Sequence, residues 1–207
     1  QIVILKGGKE MYNKAFGTHT RRTAAQKEVR PVTPDDVYDI ASLTKTTATL
    51  LAVMKLYDKG RLSLTDRVAD YLPFLKDTDK RYITVRDLLL HQSGLPSTIL
   101  FYQEAIDKES YPGTLYKGRP DSQHPTRIGS RTWANPHFRF RPGLTSKVRT
   151  AQCDLQVCDS LWLNRAFKKE YLQKIADTPL RDKRYRYSCV GFILLQQLVE
   201  ERAGMSI

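Results

Sequence analysis

Cysteine is scarce in this sequence: Cys153, Cys158 and Cys189 are the three thiols among 207 residues. Three cannot all pair within one chain, so a disulfide scaffold is excluded. Cys153 and Cys158 are five apart, which on a helix points them to different sides. No close Cys or His pair has zinc-ligand spacing, and His19, His91, His124 and His137 stand singly. No structural metal and no cofactor are expected. Long apolar runs are missing as well. The longest, Val190 to Leu195, contains Gly191 and falls far short of the roughly 20 residues a membrane span needs. No basic stretch followed by an apolar core opens the chain, so no signal peptide is read. Acidic residues are in deficit, with 22 Asp and Glu against 34 Lys and Arg and a formal net charge of +12.

What is there is ordinary globular material: 41% apolar and 27% charged residues, which argues against wholesale disorder. At about 150 residues per domain the length suits one domain, with or without a subdomain. Part of the positive excess is concentrated. Between Gly113 and Arg149 stand Lys117, Arg119, Arg127, Arg131, Arg139, Arg141, Lys147 and Arg149, with Asp121 as the single acid. Such a run is either a solvated basic loop or an anion-binding face. No helix-turn-helix, zinc-finger or RNA-binding signature accompanies it, so nucleic acid is not an expected partner.

Ile2 to Leu5 and Met11 to Gly17 are strand-like runs joined by Lys6-Gly7-Gly8-Lys9, a hairpin signal. A polar link, Thr18 to Arg30, follows. From Ser42 to Lys59 the positions of Leu43, Ala48, Leu50, Leu51, Ala52, Met54 and Leu56 predict a buried helix capped by Gly60. Thr65-Asp66 starts a short helix ending before Pro73. Thr84-Val85-Arg86-Asp87 reads as a capping box with Asp in the acidic place, stopped by Gly94 and Pro96. Beyond Phe101 to Asp107, five prolines from Pro112 to Pro142 break every pattern, which predicts a long irregular loop. Leu155 to Leu163 and Ala166 to Ala176 read as helices, Arg184 to Tyr187 as a strand or turn, and Gly191 to Ala203 as a final amphipathic helix. Strand signal sits almost only at the N-terminus, so the sheet looks unfinished.

The chemistry-bearing pattern is Ser42-Leu43-Thr44-Lys45 at the start of the strongest helical signal. Residues i and i+3 share a helix face, which sets a hydroxyl beside an amine able to take its proton. Free N–H groups at a helix N-terminus favour developing negative charge. Nucleophile, base and oxyanion donors are what acyl transfer requires. The bland alternative is Ser42 as an N-cap and Lys45 as a solvated side chain. Further along come Leu88-Leu89-Leu90-His91-Gln92-Ser93-Gly94-Leu95-Pro96 and, before the last helix, Tyr187-Ser188-Cys189.

With Ser-x-x-Lys, the Leu-Leu-x-His-x-Ser-Gly-Leu-Pro run and a Tyr-x-Asn-like triplet in this order, the chain resembles the serine β-lactamases, penicillin-binding D,D-peptidases and related esterases, especially their class C-like branch. The resemblance implies an α/β (α+β) fold with a helical subdomain and an incomplete antiparallel sheet. It implies that Ser42 is acylated, that Lys45 takes or relays its proton, and that Tyr187 delivers a proton to the leaving group. The Ser42 N–H would form part of the oxyanion hole, and His91, Ser93 and Gly94 would end a helix. Small esters, cell-wall-related amides or β-lactam-like compounds are the implied substrates, in a periplasmic or secreted setting.

Two departures stand out. Cys189 occupies the place of the family's substrate-binding Asn, and a thiol replaces an amide's hydrogen bonds poorly. The family's third motif, a Lys- or His-led triplet ending in Gly, is absent. Residues 1–207 therefore read as the N-terminal portion of a single domain, 1–30 as sheet hairpin and link and 31–207 as mostly helical with a basic loop at 112–149. That portion alone is expected to be inactive and poorly stable. Some relatives carry such a domain downstream of a family 3 glycoside hydrolase, which makes a covalently linked glycoside hydrolase domain a candidate partner. A different class stays open: a catalytically impaired binding module of the same fold, taking acidic glycans or a partner domain.

Overall fold

The computed structural model describes residues 1–20 and 29–206. They form two compact units, Gln1–Thr44 and Lys45–Ile207. In the first, strands β1 (Ile2–Lys6) and β2 (Lys9–Lys14) make the expected antiparallel hairpin, in register from Ile2↔Lys14 to Lys6↔Lys9 with an irregularity at Ile4/Leu5. Both strands are exposed along their whole length, apolar Ile2, Val3, Ile4, Leu5 and Met11 included. Most of the polar link expected at Thr18 to Arg30 falls on residues 21–28, outside the described residues. Its flanks are tied where the Val32 N–H donates to the Gly17 carbonyl and the His19 N–H to the Arg30 carbonyl, both at 3.0 Å. Asp36 is the polar hub: its carboxylate accepts from the Thr33 N–H at 2.7 Å and from Arg30 at 2.6 Å, and lies 2.8 Å from His19 Nε2. The Thr33 bond leads in holding that carboxyl below its ordinary range.

The second unit is organised around one helix. Helix α6 (Cys189–Ala203) buries Val190, Phe192, Leu194, Leu195, Gln197, Leu198 and Val199. Cys189, Ile193, Gln196 and Glu200, at i, i+4, i+7 and i+11, form a half-buried stripe, so the expected amphipathic helix presents a narrow outer face and sinks most of the rest into the core. Around it lie α1 (Leu50–Asp58), α2 (Val68–Tyr71), α3 (Val85–Leu89) and a π-helical turn, Lys45–Thr49. Gly60 closes the α1 segment with a φ of 63°, as expected. However, α1 is only half buried. Val53 and Leu56 pack inward, whereas Leu51 and Met54 are 54% and 55% exposed. The capping box at Thr84 and Asp87 is formed in both directions, at 3.1 and 3.0 Å.

Residues 106–164 overturn the expected irregular loop. Helix α4 (Tyr102–Ala105) leads into eight short strands: β3 (Ile106–Asp107), β4 (Tyr116–Lys117), β5 (Thr126–Gly129), β6 (Thr132–Ala134), β7 (Arg139–Phe140), β8 (Thr145–Ser146), β9 (Cys153–Cys158) and β10 (Leu161–Asn164). They pair antiparallel as β3-β7, β4-β6-β5 and β8-β10-β9. The prolines punctuate this insert rather than abolish its structure, since Pro112, Pro120, Pro125, Pro136 and Pro142 all fall between strands. Leu155 to Leu163, expected as helix, is instead the hairpin β9-β10, with Asp159-Ser160 at its turn. Cys153 and Cys158 therefore lie on a strand, the first buried and the second exposed. Of the basic residues in the insert all but Arg141 are exposed. Helix α5 (Arg165–Asp177) then returns the chain to the helical layer, capped by Asn164. At its far end the fully buried Lys80 donates from Nζ to Asp79 at 2.6 Å and to the Ala176 carbonyl at 2.9 Å, so the buried charge is paired and hydrogen-bonded as it must be.

The exit from α3 is threaded against the stretch that precedes α6. The Arg181 N–H donates to the Gly94 carbonyl at 2.9 Å, and a Cβ on Gly94 would stand 2.3 Å from the Arg181 carbonyl oxygen. With a φ of 82° as well, Gly94 has no tolerable replacement. Gly94→Ala should cost more than about 2 kcal/mol, from left-handed strain and the clash together. Urea denaturation measures it, and a loss within experimental error would show that this close approach is not held.

Candidate active site

Ser42 belongs to the Gln1–Thr44 unit. There the Asp39 carboxylate accepts the Ala41 N–H at 2.7 Å, and the N–H groups of Leu43 and Thr44 donate to the carbonyls of Ile40 and Ala41. Ala41 adopts a φ of 44°, a left-handed conformation that costs a non-glycine residue about 1–2 kcal/mol. Helical winding does begin after Ser42, but Ser42 is not the N-cap of α1, which starts at Leu50 behind the π turn. Thr46, Thr47 and Thr49 are β-branched and weaken α-helix preference over that stretch. Widened turns of this kind recur at functional sites.

Lys45 opens the second unit, and the π turn packs on α6. Tyr187 stands just before that helix. Lys45 Nζ lies 5.4 Å from the centre of the Tyr187 ring, so two of the expected site residues, about 140 positions apart, come together. Tyr187 is 41% exposed. Cys189, half-buried, forms the first residue of α6 and donates its N–H to the Ser97 carbonyl at 2.8 Å.

What locks Tyr187 in place is not foreseeable from the motifs. Helix α3 ends in a double turn in which the His91 N–H donates to the Leu88 carbonyl and the Gln92 N–H to the Asp87 carbonyl. This is the closing motif that normally takes glycine in its left-handed position; His91 fills it with a φ of 54°. Its carbonyl accepts the Arg186 N–H at 2.8 Å, and its Nδ1 accepts the Ser188 N–H at 3.1 Å. An amide N–H can only donate, so Nδ1 carries no proton and the neutral ring holds its proton on Nε2. The imidazole lies 4.7 Å from the Tyr187 ring and 5.3 Å from Phe192, with Tyr185 edge-on at 6.3 Å. Ser188 is the N-cap of α6: its hydroxyl donates to the Pro96 carbonyl at 2.7 Å and accepts the Gly191 N–H at 3.1 Å. The expected helix start at Gly191 is thus two residues late, and a serine before the apolar run was the available signal. Among the described residues no three His, Cys, Asp or Glu side chains gather as a metal would need, and no helix is long and apolar enough to cross a membrane.

The model of the family described as Beta-lactamase matches residues 1–207. This chain belongs to the beta-lactamase family. It is 35% identical over 109 residues to the N-acetylmuramyl-L-alanine amidase of Bacillus subtilis (strain 168), covering 49% of this chain and 25% of that protein. It is 32% identical over 123 residues to a protein of Escherichia coli (strain K12) provisionally named D-alanyl-D-alanine carboxypeptidase, covering 56% and 27%. The solved octameric penicillin-binding protein homologue from Pyrococcus abyssi matches 99% of this chain and 35% of its own, at 26% identity and a TM-score of 0.56. The chain spans about a quarter of the length of these curated relatives and about a third of the solved one. The fold class, mixed helices with small antiparallel sheets, is that of the penicillin-binding homologue.

Burial and then the nearby Lys45 hold the His91 ring below its ordinary pKa. The groups facing the ring are Lys45 from the π turn and Tyr185 and Tyr187 from the stretch before α6. A depressed folded value means that His91 stabilises the fold above its unfolded pKa of about 6.5 and withdraws that stability as pH falls through the lower folded value. His91→Asn keeps an acceptor for Ser188, tolerates the left-handed backbone and does not titrate. Melting temperatures of the parent and His91→Asn, followed from pH 7.5 down to pH 5 (about two units around the His range), should converge as the parent alone loses this increment. A gap independent of pH would show that His91 is not held neutral.

Proposed function

We propose that the protein is a serine hydrolase that works through an acyl-enzyme on Ser42. The observation that carries this reading is Lys45 Nζ 5.4 Å from the Tyr187 ring centre, which brings together an amine and a phenol, the two groups the proton transfers need. Ser42 Oγ attacks the substrate carbonyl carbon while its proton passes to the neutral amine form of Lys45. The tetrahedral intermediate collapses, the bond to the leaving alcohol or amine breaks, and Tyr187 supplies the proton that the leaving group takes. Water then attacks the Ser42 ester and gives its proton to the Tyr187 phenolate; the bond to Ser42 Oγ breaks, Lys45 returns its proton to that oxygen, and the acid product departs. The strained Ala41 just before Ser42 suits a nucleophile held on a tight turn.

The substrates fitting this site are small esters or cell-wall-related amides, and β-lactams are the poorer choice. Cys189 stands at the family's amide position, and a thiol leaves a buried substrate amide short of a partner at a cost of about 1–3 kcal/mol. The amidase and the carboxypeptidase among the relatives favour the cell-wall amides, and work on such amides belongs to the periplasm or the cell exterior. A fluorescent phosphonate should label the intact protein, and Ser42→Ala should abolish labelling and lower ester turnover by at least about 10³-fold. Tyr187→Phe should slow turnover by about 10²–10⁴-fold while leaving phosphonate labelling measurable. Labelling that survives Ser42→Ala, or is absent from the parent, would instead favour a non-catalytic module binding acidic glycans through exposed Arg119, Arg131, Arg139 and Arg149. Nitrocefin turnover as fast as ester turnover would refute the substrate preference.

A further inference from the structure

We infer that His91 is the positioning residue of the Tyr187–Lys45 pair: its imidazole backs the Tyr187 ring and pins the Tyr187–Ser188 peptide, holding the ring beside Lys45. This rests on the reading of Tyr187 and Lys45 as the groups that move protons.

Helix termination alone does not account for this residue. Where α3 ends, the chain needs one residue in the left-handed region, and glycine supplies it without strain. His91 occupies that position at a φ of 54°, and its contacts run away from α3. Its carbonyl takes the Arg186 N–H and its Nδ1 takes the Ser188 N–H, so one residue fixes the Tyr187–Ser188 peptide and, one peptide further back, the Tyr185–Arg186 peptide. The ring itself fills the space between Tyr187, at 4.7 Å, and Phe192 of the core helix, at 5.3 Å. Lys45 reaches the same ring of Tyr187 from the π turn. Tyr187 is therefore backed by the His91 ring and held by the Tyr187–Ser188 peptide at its base, while 41% of it remains exposed. No proton need pass through His91 for this role. What it needs is a lone pair on Nδ1 and an aromatic face.

Those two requirements separate positioning from mere helix closure. In the intact protein, His91→Gly preserves the helix end and removes both the acceptor and the ring. His91→Asn restores an acceptor for the Ser188 N–H, and His91→Phe restores the face alone. If His91 positions Tyr187, kcat for a simple ester falls by about 10²-fold in His91→Gly, the cost typical of misplacing a catalytic group by an ångström, with KM little changed. Asn and Phe each recover part of the loss. If His91 only ends α3, His91→Gly keeps the parental kcat, and the inference is overturned. Imidazole ¹⁵N shifts of the parent give a second reading that needs no variant to fold: Nε2–H at neutral pH is expected, and a proton on Nδ1 would overturn the pinning. Phosphonate labelling of Ser42 distinguishes the two levels. A parent unlabelled at Ser42 overturns the hydrolase reading and this inference together. A labelled, active parent with an unimpaired His91→Gly overturns this inference alone.

Discussion

Ser188 is the knot on which the helical layer and the candidate site both depend. Its hydroxyl joins the Pro96 carbonyl to the first turn of α6, and its N–H reaches across to His91. Two neighbouring backbone bonds, Arg186 to His91 and Cys189 to Ser97, run beside it. Each bond contributes only about 0.5–1.5 kcal/mol net, but a buried group left without its partner costs about 1–3 kcal/mol. Ser188 is 1% exposed, so water cannot substitute for the bonds that Ser188 itself makes. The start of the central helix is therefore set by the exit from α3. Tyr187, one residue outside the cap, has its place set by the same bonds.

Backbone strain marks the same places. Among the described residues, Ala41 and His91 are the non-glycine positions with positive φ. One immediately precedes Ser42, and the other lies against Tyr187. Strain of this kind persists only where the surroundings over-determine it. At Ala41 an Asp39 acceptor and two successive turn bonds do so. At His91 the helix-closing bonds, the pinned peptides and three aromatic neighbours do so. In both units the strained residue adjoins a group that the proposed chemistry uses.

Helix ends were legible in the sequence because they are written in single residues: the Thr84 and Asp87 box, Gly60, and the turn chemistry around Gly94. The candidate residues stood out in the sequence as spaced motifs, and among them Lys45 and Tyr187 come together. The β insert was not legible, and the reason is length. Strands of two to four residues, such as Tyr116–Lys117 and Thr145–Ser146, are too short to show alternation. The Leu155 to Leu163 stretch misled for a related reason, since two short strands and their turn together imitate one apolar helix of nine residues. The role of His91 was hidden differently. That His91 would help end a helix was implied by the resemblance, but its partners Arg186 and Ser188 lie almost a hundred positions away, beyond the reach of any local rule.

Helix α5 shows how the two layers of the larger unit are kept together yet separable. Tyr171 packs against the helical core and also against the small second core of Ala105, Leu144 and Phe167. Its ring lies 5.5 Å from Phe101 and 6.2 Å from Phe167. Glu170 on the same helix binds Arg141 of the insert at 2.6 Å, and Lys174 binds Glu104. The insert thus has its own apolar centre and reaches the helical layer mainly through one helix. Its exposed arginines can vary without disturbing the packing that holds Lys45 against Tyr187. The reverse does not hold, because α6 is buried on all but one face and packs on α1, α2 and α3. The charge carried by the insert is accordingly free to change, while Lys45 and the Tyr187 ring stay fixed to the core.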